Sequence, residues 1–129
     1  MESTEILKEY SNLFEDDAII QVDEGWDVIV KDMLVTIQLH EKVNLENYGF
    51  APTKFNFIKT THGWLDIEYT GGDEISHEVI NFSRILSFKT CELCGKIGQL
   101  YCDAKWMHWS NKKTLCKTHA IKLYYYSLI

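Results

Sequence analysis

Cys91-Glu92-Leu93-Cys94-Gly95 and Thr114-Leu115-Cys116-Lys117-Thr118-His119-Ala120 carry the pattern that decides this 129-residue chain. Each stretch holds two metal-ligand residues three positions apart, and 21 residues separate Cys94 from Cys116. Zinc takes four sulfur or nitrogen donors at tetrahedral corners, and two such pairs brought together by a hairpin supply them. Gly95 suits a Cys-x-x-Cys turn because it enters the left-handed region without a steric penalty, letting backbone amides face the thiolates. Cys116 and His119 read as the start of a helix that continues through Ala120 to Tyr124. Knuckle, hairpin and ligands at a helix start make a treble-clef-like module holding one structural Zn2+ through Cys91, Cys94, Cys116 and His119. A closed set of four ligands leaves no open position for water, so the ion is expected to hold the fold and not to catalyse. Cys102 is the alternative fourth ligand in place of His119. Its place within a strand turns it away from the metal, and it reads as a small buried apolar residue.

Upstream, the chain is acidic. Residues 1–89 hold 7 Lys/Arg and 17 Asp/Glu, a net of -10, whereas residues 90–129 hold 6 and 2, a net of +4. All four cysteines fall in the basic part. Clustered thiols in a chain with no secretory or membrane-spanning signal read as metal ligands and point to the cytoplasm. The expected organisation is an acidic helix and hairpin body over 1–89 and a basic zinc module over 90–129. No Pro-, Gly- or Ser-rich linker separates the two, so the module should pack on the body as one unit.

Apolar periodicity predicts an α+β body. A first helix over 4–14 carries Ile6, Leu7, Tyr10, Leu13 and Phe14 and ends at Glu15-Asp16-Asp17. The run Ala18 to Val22 reads either as a strand or as a connector. Asp23 is placed to cap a second helix, over 24–40, on which Trp26, Ile29, Val30, Met33, Leu34 and Ile37 recur at spacings of three and four. Asn44 to Pro52 reads as a loop. Strand formers at 55–58 and 65–69 predict a hairpin near 54–70 with its turn at Thr60 to Gly63. Asp73 is placed to cap a third helix over 73–88, with Ile75, Val79, Phe82 and Leu86 at helical spacing. The final Leu123, Tyr124, Tyr125, Tyr126, Leu128 and Ile129 are expected to bury against the body instead of pairing two copies, because a chain this small needs core; a monomer follows.

Chemistry outside the cysteines is sparse. His40, His62, His77 and His108 are scattered, and Asp66 and Glu68 share one face of a strand as a solvated pair would. No phosphate-binding glycine loop, nucleophile elbow or His-Glu-x-x-His pattern occurs, so an enzyme is not expected. Between the ligand pairs, Lys105-Trp106-Met107-His108-Trp109-Ser110-Asn111-Lys112-Lys113 combines two indoles, a methionine and three lysines. Lys105, Trp106, Trp109, Lys112 and Lys113 are therefore candidate partner-binding residues, with one indole expected buried and the other exposed. A protein partner is favoured. The alternative is a nucleic-acid-binding zinc module acting through loop 105–117, which the net charge of the body opposes.

Gly25-Trp26, the stretch His62-Gly63-Trp64-Leu65-Asp66-Ile67-Glu68-Tyr69 and the two ligand stretches together resemble a family of short bacteriophage and prophage proteins. Members carry a Gly-Trp helix, a Gly-Gly-Leu-Arg-Phe-Tyr strand, a Cys-Glu-x-Cys-Gly knuckle and a closing Thr-Leu-Cys-x-x-His-Ala. The resemblance spans most of residues 25–120. Asp66 stands where that pattern has Arg, and Trp64, Glu68 and the stretch between the ligand pairs also depart from it. The family has no assigned activity. The resemblance implies a phage-type origin and a zinc-bound fold, and small proteins of that origin often disarm a host defence or regulatory protein by binding it.

Overall fold

The structure is a computed structural model that describes residues 3–103, 112–123 and 125–127. It is an α+β fold in which helices pack on a three-stranded sheet and a second small sheet closes the tail. Helix α1 (Ser3–Glu9) buries Ile6 and is followed by Tyr10, also in the core. The helix stops well before residue 14. Ser11–Leu13 tighten into a 3-10 turn, and Phe14 is already extended, at φ -121° and ψ 146°.

Strand β1 (Phe14–Gln21) thus contains the acids that read as a helix end. Phe14 lies opposite Phe55 and Ile19 opposite Phe57, so four residues of β1 stand against one of its neighbour. The excess bulges at the sheet edge, where Glu15, Asp16 and Asp17 stay exposed while Phe14 and Ile20 enter the core. Acids on a bulged edge strand also discourage pairing with another chain.

A 3-10 turn, Glu24–Trp26, comes before helix α2 (Asp27–Tyr48), and the Asp23 side chain makes no capping bond. All six apolar residues read from the periodicity, Trp26 to Ile37, lie in the core. The helix runs eight residues beyond the expected end at 40, through part of the stretch read as a loop. Asn44 is accommodated by bonding back to the His40 carbonyl at 2.9 Å, and the helix ends at Gly49, whose φ of +64° is left-handed.

Strands β2 (Lys54–Thr61) and β3 (Trp64–Thr70) form the expected antiparallel hairpin, and β2, at the centre of the sheet, pairs with β1 in parallel across the α2 connection. Thr61 pairs with Trp64, leaving His62 and Gly63 as the two turn residues at φ +50° and +86°. Two successive positive φ values are what a type I′ turn requires, and its twist matches that of the strands it joins.

Helix α3 (Glu74–Ser87) starts at Asp73, whose side chain accepts the Ser76 backbone N–H at 3.0 Å. His40 Nε2 reaches the same carboxylate at 2.8 Å. Partial burial raises the Asp73 pKa, but the Ser76 and His40 hydrogen bonds outweigh it, and the net value falls below the ordinary 3.8. The resulting stabilisation is complete above about pH 4 and is lost as pH falls through the lowered native value. Asp73→Ala should cost about 1–2 kcal/mol, read as a lower urea midpoint, and should flatten this part of the acid limb.

The most buried face of α3 is not its apolar stripe, of which only Val79 and Leu86 pack partly against the core. Ser76, Ile80, Ser83 and Ser87 are buried, whereas Ile75 and Phe82 are exposed. Ser87 explains the choice: its hydroxyl accepts the Leu65 backbone N–H at 3.1 Å and donates to the Arg84 carbonyl at 2.6 Å. Small hydroxyl residues let the helix sit close against β3 while satisfying a buried amide.

After α3 a bridge between Thr90 and Ile97 closes the knuckle, and a second antiparallel sheet follows in the order β5 (Lys112–Leu115), β4 (Gln99–Asp103), β6 (Tyr125–Ser127). Helix α4 (Lys117–Lys122) connects β5 to β6. Of the chain end expected against the body, β6 pairs with β4 and Tyr125 packs on the small core of the tail, while Tyr124, Leu128 and Ile129 lie outside the described residues. Among the described residues, no helix is long and apolar enough to cross a membrane.

Candidate metal centre

Knuckle 91–95 is built by backbone geometry. The Gly95 N–H donates to the Cys91 carbonyl at 2.9 Å, the Cys91 N–H donates to the Lys96 carbonyl at 2.7 Å, and Gly95 takes φ +80°. Two thiols on such a turn point the same way. Hairpin β4–β5 then delivers Cys116 to the start of α4, and one helical turn brings His119 beside it. Here the treble-clef-like order of knuckle, hairpin and helix is complete.

Donor atoms of Cys91, Cys94, Cys116 and His119 all lie within 4.8 Å of one another. His119 Nδ1 sits 3.5 Å from Cys91 Sγ and 3.2 Å from Cys116 Sγ, and Cys94 Sγ is 3.7 Å from Cys116 Sγ. A tetrahedral ion with Zn–S near 2.3 Å and Zn–N near 2.05 Å sets donor separations of about 3.8 Å for S···S and about 3.6 Å for S···N. These three edges fit that polyhedron within a few tenths of an ångström, and the four residues could hold one metal ion. A sulfur separation of 3.7 Å is far from the roughly 2.05 Å of a disulfide, and all four cysteines are free.

Electrostatics favour an ion here. The His119 backbone amide is the largest influence on Cys116 and, helped by the His119 ring against the cost of burial, lowers its thiol to about 6. At Cys94 the Lys96 amide lowers the pKa, but burial and the neighbouring thiols Cys91 and Cys116 outweigh it and the net shift is upward. Crowded thiols that resist losing their protons together are relieved when a divalent cation replaces those protons.

Sequence reading singled out the ligands but not what seats them. Glu92 is fully buried, with its carboxylate accepting the Thr114 N–H at 3.1 Å and pairing with Lys113 Nζ at 3.3 Å. Its backbone N–H donates to the Thr114 carbonyl, and its carbonyl accepts the Gly25 N–H, both at 2.9 Å. Burial raises the Glu92 pKa, and Lys113 pulls it back. This residue therefore ties the knuckle to β5 on one side and to the body on the other. A glutamate between two knuckle cysteines was the available signal, since charged residues are seldom fully buried without a partner.

Gly25 and Trp26 are the body's half of the joint. Trp26, fully buried, donates its indole N–H to the Thr90 carbonyl at 2.9 Å. The hairpin turn makes a second seam: the Thr114 hydroxyl donates to the Gly63 carbonyl, and Leu100 and Lys113 pack over that glycine. Two separate strips of the body thus hold the module.

Cys102 lies within β4 opposite Lys112 and Tyr126, outside the donor cluster. It is half-buried, not enclosed as expected. Lys113 spends its charge on Glu92, which removes one cation from the set read for a partner or a nucleic acid. Lys112 is half-buried in β5. Lys105, Trp106 and Trp109 lie outside the described residues, as does the expectation of one buried and one exposed indole.

No family model, curated protein or solved structure matches the chain.

Proposed function

We propose that this chain is a small zinc-stabilised, non-enzymatic binding protein of phage type, which docks on a host defence or regulatory protein in the host cytoplasm and inhibits it. The donor geometry supports the zinc part. Three sulfurs and one imidazole nitrogen lie within 4.8 Å of one another, and three of their six edges, at 3.2, 3.5 and 3.7 Å, are close to those of a zinc tetrahedron. Soft thiolates with an imidazole select zinc over the harder magnesium or calcium. An ion so enclosed has no vacant position for a substrate, so it is a cross-link between knuckle and helix. Activity then falls to the surface, and the body's acidic charge suits a basic partner.

Cobalt substitution tests the structural role. The Co2+ protein should show the intense visible bands of a tetrahedral site, and adding azide should leave them unchanged. Weak bands of higher coordination, or a spectrum that azide shifts, would mean an open position and would defeat the non-catalytic reading.

A further inference from the structure

Helix α3 carries an apolar stripe, Ile75, Val79, Phe82 and Leu86, at spacings of four, three and four, the pattern of a helix face meant for burial. The body covers only part of it: Val79 and Leu86 pack partly against the core, whereas Ile75 and Phe82 are left exposed. Phe82 is 61% exposed, and across from it on α2 Val28 is 70% exposed. Between the two helices runs a groove of about 570 Å³, with Met33 in its floor and Val79 and Leu86 along its side. The charged groups lining it are Asp32 and Glu78, both exposed and both acidic. Arg84, the cation of α3, faces away, bonded to the Ile67 carbonyl and to Asn81.

We infer that this groove is the docking site for an amphipathic helix of a partner protein, one with apolar anchors flanked by lysine or arginine. The inference deepens the proposed binding function and rests on it. Dimensions favour a helix. Val28 to Thr36 and Glu78 to Leu86 each rise about 12 Å, enough for anchors at i, i+3 or i+4, and i+7 of a third helix, which span about 10.5 Å. Charge selects among occupants. A nucleic acid or an anionic membrane would bring negative charge against Asp32 and Glu78. A second copy using the same face in a two-fold dimer would set those two acids against their own equivalents. A cationic flank instead pairs with both while its apolar side covers Phe82 and Val28.

The probes are two synthetic helical peptides of about 14 residues, with identical leucine faces and either lysines or glutamates elsewhere. The target is the full zinc-loaded chain, followed by NMR and by calorimetry. The lysine peptide should bind at about tens of micromolar, shifting Val28, Met33 and Phe82 signals, and the glutamate peptide should not bind. Phe82→Asp should weaken binding about tenfold or more. Ile85→Asp, on an exposed residue of the same helix outside the groove, should leave it unchanged. Asp32→Lys with Glu78→Lys should reverse the preference to the glutamate peptide. Equal binding of both peptides, no binding of either, indifference to Phe82→Asp, or dimerisation through this face would each overturn the inference. Metal content measured on the same samples separates the two claims. A zinc-loaded chain that ignores the lysine peptide defeats the groove alone, and a metal-free chain that binds it as described defeats the zinc reading alone.

Discussion

Cys116→Ser is expected to abolish stoichiometric zinc binding and to lower the melting temperature by about 10 °C or more. Among the described residues the tail's own buried core is Cys91, Leu115, Cys116 and Ala120, with Leu93, Tyr101 and Tyr125 partly buried against it, and two of the four buried residues are candidate ligands. So small an apolar cluster offsets little of the chain entropy of ordering the described part of the tail. On the proposed reading the ion supplies most of what closes the tail, so losing a ligand is a loss of folding free energy. A cost of about 3–5 kcal/mol corresponds to the stated drop for a domain of this size. Differential scanning calorimetry with elemental analysis reads both effects. Cys102→Ser, outside the donor cluster, should keep full zinc content and shift the melt by no more than about 2 °C. Retention of one zinc by the Cys116 variant, or an unchanged melt, would mean that the cluster does not hold the fold.

Gly25→Ala should destabilise by about 3 kcal/mol or more, and for a different reason. A Cβ at this position would lie 2.1 Å from the Cys91 carbonyl oxygen and 2.4 Å from the Glu92 carbonyl carbon. Both obstacles are backbone, so the knuckle must move away, and the Gly25 N–H bond to the Glu92 carbonyl goes with it. The four ligands belong to the tail and can still gather, so zinc content should stay at one per chain while the melting temperature falls by about 10 °C. Loss of stability with retained metal is the signature of a broken joint. A variant that keeps its full melting temperature would show that the knuckle and the body are not bonded at this seam.

Legibility varied with the range of the interactions. The hairpin at 54–70 was readable because strand alternation and a His-Gly turn are local signals, and Gly63 at φ +86° occupies the position they call for. The acidic run at 15–17 misled, since acids at a helix end and acids on a bulged edge strand look alike until the partner strand is known. Helix α2 outlasted its expected end because Asn44 satisfied itself by back-bonding, and only Gly49 stopped it. On α3 the apolar stripe pointed to a buried face, yet the serines won the sheet because Ser87 answers the buried amide of Leu65, a residue 22 positions earlier.

By itself, then, the amino-acid order determined the α+β composition and the four residues that gather as a candidate metal site. Both are written in short spacings: alternation for strands, three-residue steps for a knuckle and a helix start. Tertiary structure alone decided that Glu92 is the buried clasp, that Gly25 and Gly63 are the seams between body and tail, and that Ile75 and Phe82 of the α3 stripe face outward. Those facts depend on which distant surfaces meet. A residue's neighbours 51 or 64 positions away, as with Thr114 and Gly63 or Trp26 and Thr90, leave no periodic trace in the chain that carries them.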